Sequence, residues 1–121
     1  MRKKILVVDD EADIRRFLTA VLEKEGHETL TASDGREALE IAEREKPDLI
    51  ILDLQMPNQT GTDFYRRLKK NKDLQNTPII VVSGLAGRHL AVSDPFAVFD
   101  KPIDPDEFAA TVERALGVGD D

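Results

Sequence analysis

Ile5-Leu6-Val7-Val8-Asp9-Asp10-Glu11 decides the fold: an unbroken aliphatic and β-branched run stops abruptly in a row of acids. Apolar runs without alternation mark strands covered on both faces, as parallel sheets require. Downstream, Ile14, Phe17, Leu18, Val21 and Leu22 recur at helical spacing, and Gly26 provides the stop. Glu28–Ala32 alternates weakly as a second strand. Asp34-Gly35-Arg36-Glu37 reads as a capping box opening a helix through Ala38, Leu39, Ile41 and Ala42, which Pro47 closes.

Residues 49–52 form a third apolar strand, followed by the turn-rich Met56-Pro57-Asn58-Gln59-Thr60-Gly61. A helix then carries Phe64, Tyr65 and Leu68 inward. Pro78 leads into a fourth strand over 79–82, and 96–99 reads as a shorter fifth. Asp104-Pro105-Asp106-Glu107 joins an N-cap to a first-position proline and an acid in the first turn. Phe108, Val112, Ala115 and Leu116 then face the core, and Gly117 ends that helix. Strands alternating with helices predict an α/β fold, a five-stranded parallel sheet with helices on both faces. The weak place is 84–95, where two glycines and a closing proline leave room for about two helical turns, so a fourth helix there is short or irregular.

The 121 residues suit a single domain over 1–121, long enough to bury one core without staples. With no cysteine, a disulfide framework and a thiolate metal site are both excluded. No apolar run approaches the roughly 18–20 residues of a membrane span, and nothing at the start resembles a signal h-region, so a cytoplasmic protein is expected. A net charge of −7 argues against nucleic-acid or anionic-membrane binding. The local basic run of Arg66, Arg67, Lys69, Lys70 and Lys72 reads as a solvated helix face before a docking patch. His27 and His89 read as surface residues.

In an open parallel sheet, ligands sit beyond the carboxyl ends of the strands. Those ends carry Asp9 and Asp10 after the first strand, Asp53 after the third, Ser83 after the fourth and Lys101 after the fifth. Singly, each has an ordinary explanation: helix capping for Asp9, Asp10 or Glu11, a loop acid, a turn serine, a solvated lysine. Those explanations do not account for one such residue at each of four strand ends. Converging carboxylates repel by about 1 kcal/mol at 4 Å in water and by more in a drier crevice, so a cation must hold them. All-oxygen ligands select a hard cation, and Mg²⁺ uses one or two carboxylates together with waters and phosphate oxygens. A carboxylate beside such a cation and a lysine is a nucleophile suited to phosphorus. Asp53 becomes the nucleophile, Asp9 and Asp10 the metal holders, and Ser83 and Lys101 the groups that reach phosphoryl oxygens.

Val7-Val8-Asp9-Asp10-Glu11, Leu52-Asp53-Leu54-Gln55-Met56-Pro57 with Gly61, Val82-Ser83-Gly84 and Lys101-Pro102 together resemble the receiver domains of two-component response regulators, over essentially the whole chain. The resemblance implies a flavodoxin-like strand order 2-1-3-4-5 and Asp53 as phosphoacceptor. It implies Asp10 as a direct Mg²⁺ ligand, Asp9 close by through water, and the backbone carbonyl of Gln55 as a further ligand. Ser83 and Lys101 then contact the phosphoryl group, while Gln55 and Leu85 flank the path of the hydrolytic water. The donor implied is a phosphohistidine on a sensor histidine kinase or histidine phosphotransfer protein. A downstream protein partner follows, homodimerisation is allowed, and the only catalysis is of the domain's own phosphorylation and dephosphorylation.

Two departures from the family pattern concern output. Val98 stands where an aromatic is usual, three positions before the lysine, with Phe99 expected on the opposite face. The interval from Ser83 to Lys101 is also roughly one helical turn short. Two other readings compete with this one. An aspartyl-phosphate phosphatase would want a D-x-D after the first strand, where Asp9 is followed by Asp10-Glu11, and room for a cap domain. A receiver-fold binding module without phosphorylation has no use for the retained acids, Ser83 and Lys101.

Overall fold

The computed structural model describes residues 3–53, 60–83 and 95–117. Its elements run β1 (Lys4–Val8), α1 (Ala12–Lys24), β2 (Glu28–Ala32), α2 (Gly35–Glu45), β3 (Leu49–Asp53), α3 (Thr60–Lys70), β4 (Ile79–Ser83), β5 (Ala97–Asp100) and α4 (Pro105–Leu116). All neighbouring strands pair in parallel, in the order β2-β1-β3-β4-β5. This is the expected sheet. Residues 84–94, which include most of the proposed irregular fourth helix and His89, lie outside the described residues, as do 54–59 with Gln55.

The period-two geometry of a strand sorts the apolar runs onto two faces. Leu6, Val8, Ile50, Leu52 and Val81 pack under α2 and α3 with Ala38, Ala42, Phe64 and Leu68. Ile5, Val7, Ile51, Ile80 and Val82 point the other way and meet Leu18 and Leu22 of α1 and Phe108 and Val112 of α4. Burying each such side chain is worth about 1.5–3 kcal/mol, so the central strands anchor the molecule and position whatever follows their ends. Phe17 departs from expectation at 37% exposed. Ile14, Leu18 and Leu22 form one i, i+4, i+8 row that takes the sheet contact, leaving Phe17 at the edge of the stripe.

The caps largely follow the reading, with one shift. Asp34 accepts from the Glu37 N–H at 2.8 Å, but Glu37 reaches back to the Ser33 N–H at 2.7 Å, one residue before the N-cap. Lys46 caps the end of α2 at φ 48, immediately before the buried Pro47. Asp104 accepts from both the Asp106 and Glu107 N–H groups, Pro105 opens α4, and Gly117 closes it at φ 70. The fifth strand begins one residue later than predicted. Phe96 N–H still donates to Ile79 at 2.8 Å, but its side chain is exposed and the ladder proper starts with Ala97 opposite Ile80.

His27 corrects a second expectation, because it is buried rather than on the surface. The chain turns from α1 into β2 there, with its N–H on the Leu22 carbonyl at 3.2 Å. The ring is carried beneath α4, where Nε2 meets Glu113 Oε1 at 3.2 Å. A single histidine past a helix-ending glycine carries no sequence signal for that contact.

Candidate functional site

Parallel registry sets the predicted residues side by side. Asp9 follows β1 directly, and its N–H extends the ladder to the Ala32 carbonyl at 3.1 Å. Asp53 is the last residue of β3 and pairs with Val82, and Ser83 ends β4 opposite Asp100. Lys101 is the next residue after β5, and its peptide bond to Pro102 is cis. Ser83 therefore has its backbone on the expected rim, while its side chain lies outside the described atoms.

Three of the predicted acids converge. Carboxylate oxygens of Asp9, Asp10 and Asp53 lie within 4.8 Å of one another. Asp9 and Asp53 are almost wholly buried and Asp10 is exposed, so the cluster is a crevice with one open side. Lys101 stands over it, with Nζ at 3.5 Å from Asp9 Oδ2 and 3.8 Å from Asp53 Oδ2. Among the described residues, Asp9, Asp10, Asp53 and Lys101 are brought together at the strand ends.

Two residues missed by the sequence reading complete the surroundings. Glu11 places Oε1 at 3.4 Å from Lys101 Nζ. Arg15 donates from Nη1 to the carbonyl of Asp9, one turn into α1. The (i, i+4) spacing of Glu11 and Arg15 is a pattern that could have drawn attention to both. Neither Asp10 nor Glu11 caps α1, because the N-cap Glu11 makes no side-chain capping bond. Asp9 instead accepts from the Glu11 N–H at 2.9 Å.

The electrostatics follow from burial. Desolvation pushes the Asp9 carboxyl above its usual range, against the pull of the Glu11 N–H and of Lys101. Burial works to lower Lys101, but the carboxylates of Asp53, Asp9 and Glu11 outweigh it and hold the ammonium above its ordinary value. The lysine therefore stays charged, and it is outnumbered by the acids around it. Excess negative charge in a crevice of oxygen ligands fits a hard divalent cation such as Mg²⁺. Three carboxylates with oxygens within 4.8 Å of one another are a donor set of that kind.

Among the described residues, the main concavities elsewhere are lined without such a cluster of carboxylates. A groove of about 390 Å³ between α2 and α3 has Leu39 and Phe64 in its floor, with Arg36 and Arg67 balanced by Glu40 and Asp63. No helix among the described residues is long and apolar enough to cross a membrane.

Comparisons with known proteins agree with this fold. A family model described as "Response regulator receiver domain" matches residues 5–113. Protein Rrf1 of Nitratidesulfovibrio vulgaris is 34% identical over 116 residues, covering 96% of this chain and 84% of that protein. Sporulation initiation phosphotransferase F of Bacillus subtilis is 34% identical over 123 residues, covering 96% of this chain and 95% of that protein. The alkaline phosphatase synthesis transcriptional regulatory protein PhoP of Bacillus subtilis is 40% identical, but this chain spans only 49% of its length. Among solved structures, the chemotaxis protein CheY4 of Vibrio cholerae superposes with a TM-score of 0.86 at 32% identity, over 96% of this chain and 100% of that one.

Proposed function

The chain belongs to the response regulator receiver family, and on that premise we propose that it accepts a phosphoryl group on Asp53, drawn from a phosphohistidine and assisted by Mg²⁺. Receiver domains are signalling modules rather than turnover enzymes, and histidine kinases or phosphotransfer proteins phosphorylate them. The observation that carries the proposal is the buried position of Asp53 between the cation-suited acids and Lys101.

In this reading Asp9, Asp10 and Asp53 hold Mg²⁺, with the Gln55 carbonyl supplying a further oxygen. Mg²⁺ when bound neutralises charge on the acids and on the phosphoryl oxygens. Asp53 attacks phosphorus through a carboxylate oxygen as the P–N bond to the donor imidazole breaks. The bonding pair returns to the imidazole nitrogen, and an acyl phosphate remains on the protein. Lys101 supplies a mobile positive charge to a phosphoryl oxygen, and the Ser83 hydroxyl donates to another. The sheet contributes position: two adjacent strands, β1 and β3, that cannot shift without opening the core hold the acids in reach of one another.

The whole of 1–121 acts as one receiver domain on this proposal, in the cytoplasm where its kinase donor acts, and passes the signal to a protein partner. Binding nucleic acid directly is not a task for a domain of charge −7. The test is incubation with a small phosphodonor such as phosphoramidate and Mg²⁺. One phosphoryl mass should be added, and Asp53→Asn should abolish it. Modification mapping to Asp9 or Asp10 in the wild-type chain sinks the assignment.

A further inference from the structure

Glu11 does not do what its place in the helix suggests. It is the N-cap residue of α1, where Ser, Thr, Asp and Asn are favoured, yet its side chain makes no capping hydrogen bond. Its backbone N–H is held by Asp9 instead. The carboxylate turns to Lys101, and at 3.4 Å it is the nearest of the three acids that ammonium touches, ahead of Asp9 at 3.5 Å and Asp53 at 3.8 Å.

Those three acids are not equivalent. Asp9 and Asp53 belong to the cluster suited to a cation, and Glu11 does not. A divalent cation among Asp9, Asp10 and Asp53 neutralises the two buried carboxylates that hold Lys101 and repels the ammonium directly. Glu11, with its side chain 62% exposed at the mouth of the crevice, keeps its charge and offers the ammonium somewhere to stay. Without it, the lysine's remaining acidic partners among the described residues are the ones the cation needs.

We propose that Glu11 is a positioning residue that retains Lys101 at the mouth of the site, so that the lysine competes less with a bound cation and yields less readily to an arriving phosphoryl group. The claim about the phosphoryl group rests on the phosphoacceptor reading above, whereas the claim about the cation stands independently of it. The two claims have opposite signs. Removing the Glu11 charge weakens cation binding and eases the reach of Lys101 to an anion on Asp53.

The experiment is calorimetric Mg²⁺ titration of the full chain as wild type, Glu11→Gln, Lys101→Gln and the double variant. Glu11→Gln keeps the side-chain size at an exposed position and removes only the charge. Its Mg²⁺ Kd should rise about three- to fivefold, the scale of one exposed ion pair. In the Lys101→Gln background the same substitution should change Kd by less than about 1.5-fold, because its partner is gone. An unchanged Kd in the single variant overturns the proposal. So does an equal loss in both backgrounds, which is the mark of simple charge attraction to the cation. In a second arm, at saturating Mg²⁺, phosphorylation by phosphoramidate should run about two- to threefold faster in Glu11→Gln. An unchanged or slower rate overturns the claim that Glu11 holds Lys101 back from an arriving phosphoryl group. If wild-type Asp53 takes no phosphoryl group while the Mg²⁺ coupling to Lys101 persists, the phosphoacceptor reading fails and the positioning of Lys101 by Glu11 stands.

Discussion

Lys101 Nζ lies 3.8 Å from Asp53 Oδ2, so the ends of β5 and β3 are joined by an ammonium that also serves Asp9. Both carboxylates are buried, and removing their shared counter-ion leaves uncompensated charge in the crevice. Lys101→Ala should therefore destabilise the protein in metal-free buffer by about 2 kcal/mol, a figure below the fully buried case because Lys101 remains partly exposed. Urea unfolding measures the loss. Added Mg²⁺ should shrink the difference, since a cation replaces the missing charge and binds only the folded form. A Lys101→Ala protein as stable as wild type without Mg²⁺ would show that the lysine is not the counter-ion.

Asp9 gives a pH dependence of definite sign. Its folded-state pKa is raised, chiefly by desolvation, above the ordinary 3.8. The folded protein holds that proton more tightly than the unfolded chain does. The stabilisation is thus present below 3.8 and is lost as pH climbs through the raised value. Ionised Asp9 works against the fold at neutral pH. Asp9→Asn keeps an oxygen for the Glu11 N–H, so at neutral pH it should be more stable than the wild type and melt at a higher temperature. The advantage should fade as the pH is lowered toward about 3, where both proteins carry a neutral group. A Tm gain independent of pH would mean that desolvated charge is not its source.

The acid cluster was legible because its physics is one-dimensional: a residue after a buried parallel strand must arrive at the same rim as its neighbours. Ile5 to Val8 and residues 49–52 declare such strands by composition alone, and Asp9, Asp10 and Asp53 follow without further information. Glu11 and His27 were not legible in that way. The Lys101–Glu11 contact spans 90 residues and the His27–Glu113 contact 86, and each depends on how far a side chain reaches across a packed interface. Phe17 shows the same limit from the other side. Helical spacing put it on the apolar stripe, but the width of the sheet contact decided which residues of the stripe were covered.

The last helix tests the value of local signals. Asp104 accepts from the N–H of Asp106 at 2.9 Å and of Glu107 at 3.3 Å, satisfying two donors that otherwise lack intrahelical partners. Asp104→Ala should cost about 1 kcal/mol. Asp104→Asn, which keeps a side-chain acceptor, should cost less than half of that. Equal losses in the two variants, measured by urea unfolding, would indicate that charge at the start of α4 matters more than the cap bonds.

His27 and Glu113 carry the final prediction. Their 3.2 Å contact joins the turn after α1 to α4, and the His27 side chain is only 3% exposed. His27 Nδ1 and Glu113 Oε2 are buried and find no hydrogen-bond partner among the described residues. A polar pair with one end of each group unsatisfied is costly to create and more costly to break by halves. Truncating Glu113 to Ala strips the ring of its partner on Nε2, leaving a buried polar group with the full desolvation penalty of about 2 kcal/mol. His27→Leu leaves the half-buried Glu113 carboxylate without that partner and should cost a similar amount. The double variant removes the polar groups together, so its loss should fall short of the sum by about 1 kcal/mol or more. Strictly additive losses in the urea-unfolding cycle would mean that the two side chains contribute through separate packing, and that their hydrogen bond does not tie α4 to the α1–β2 turn.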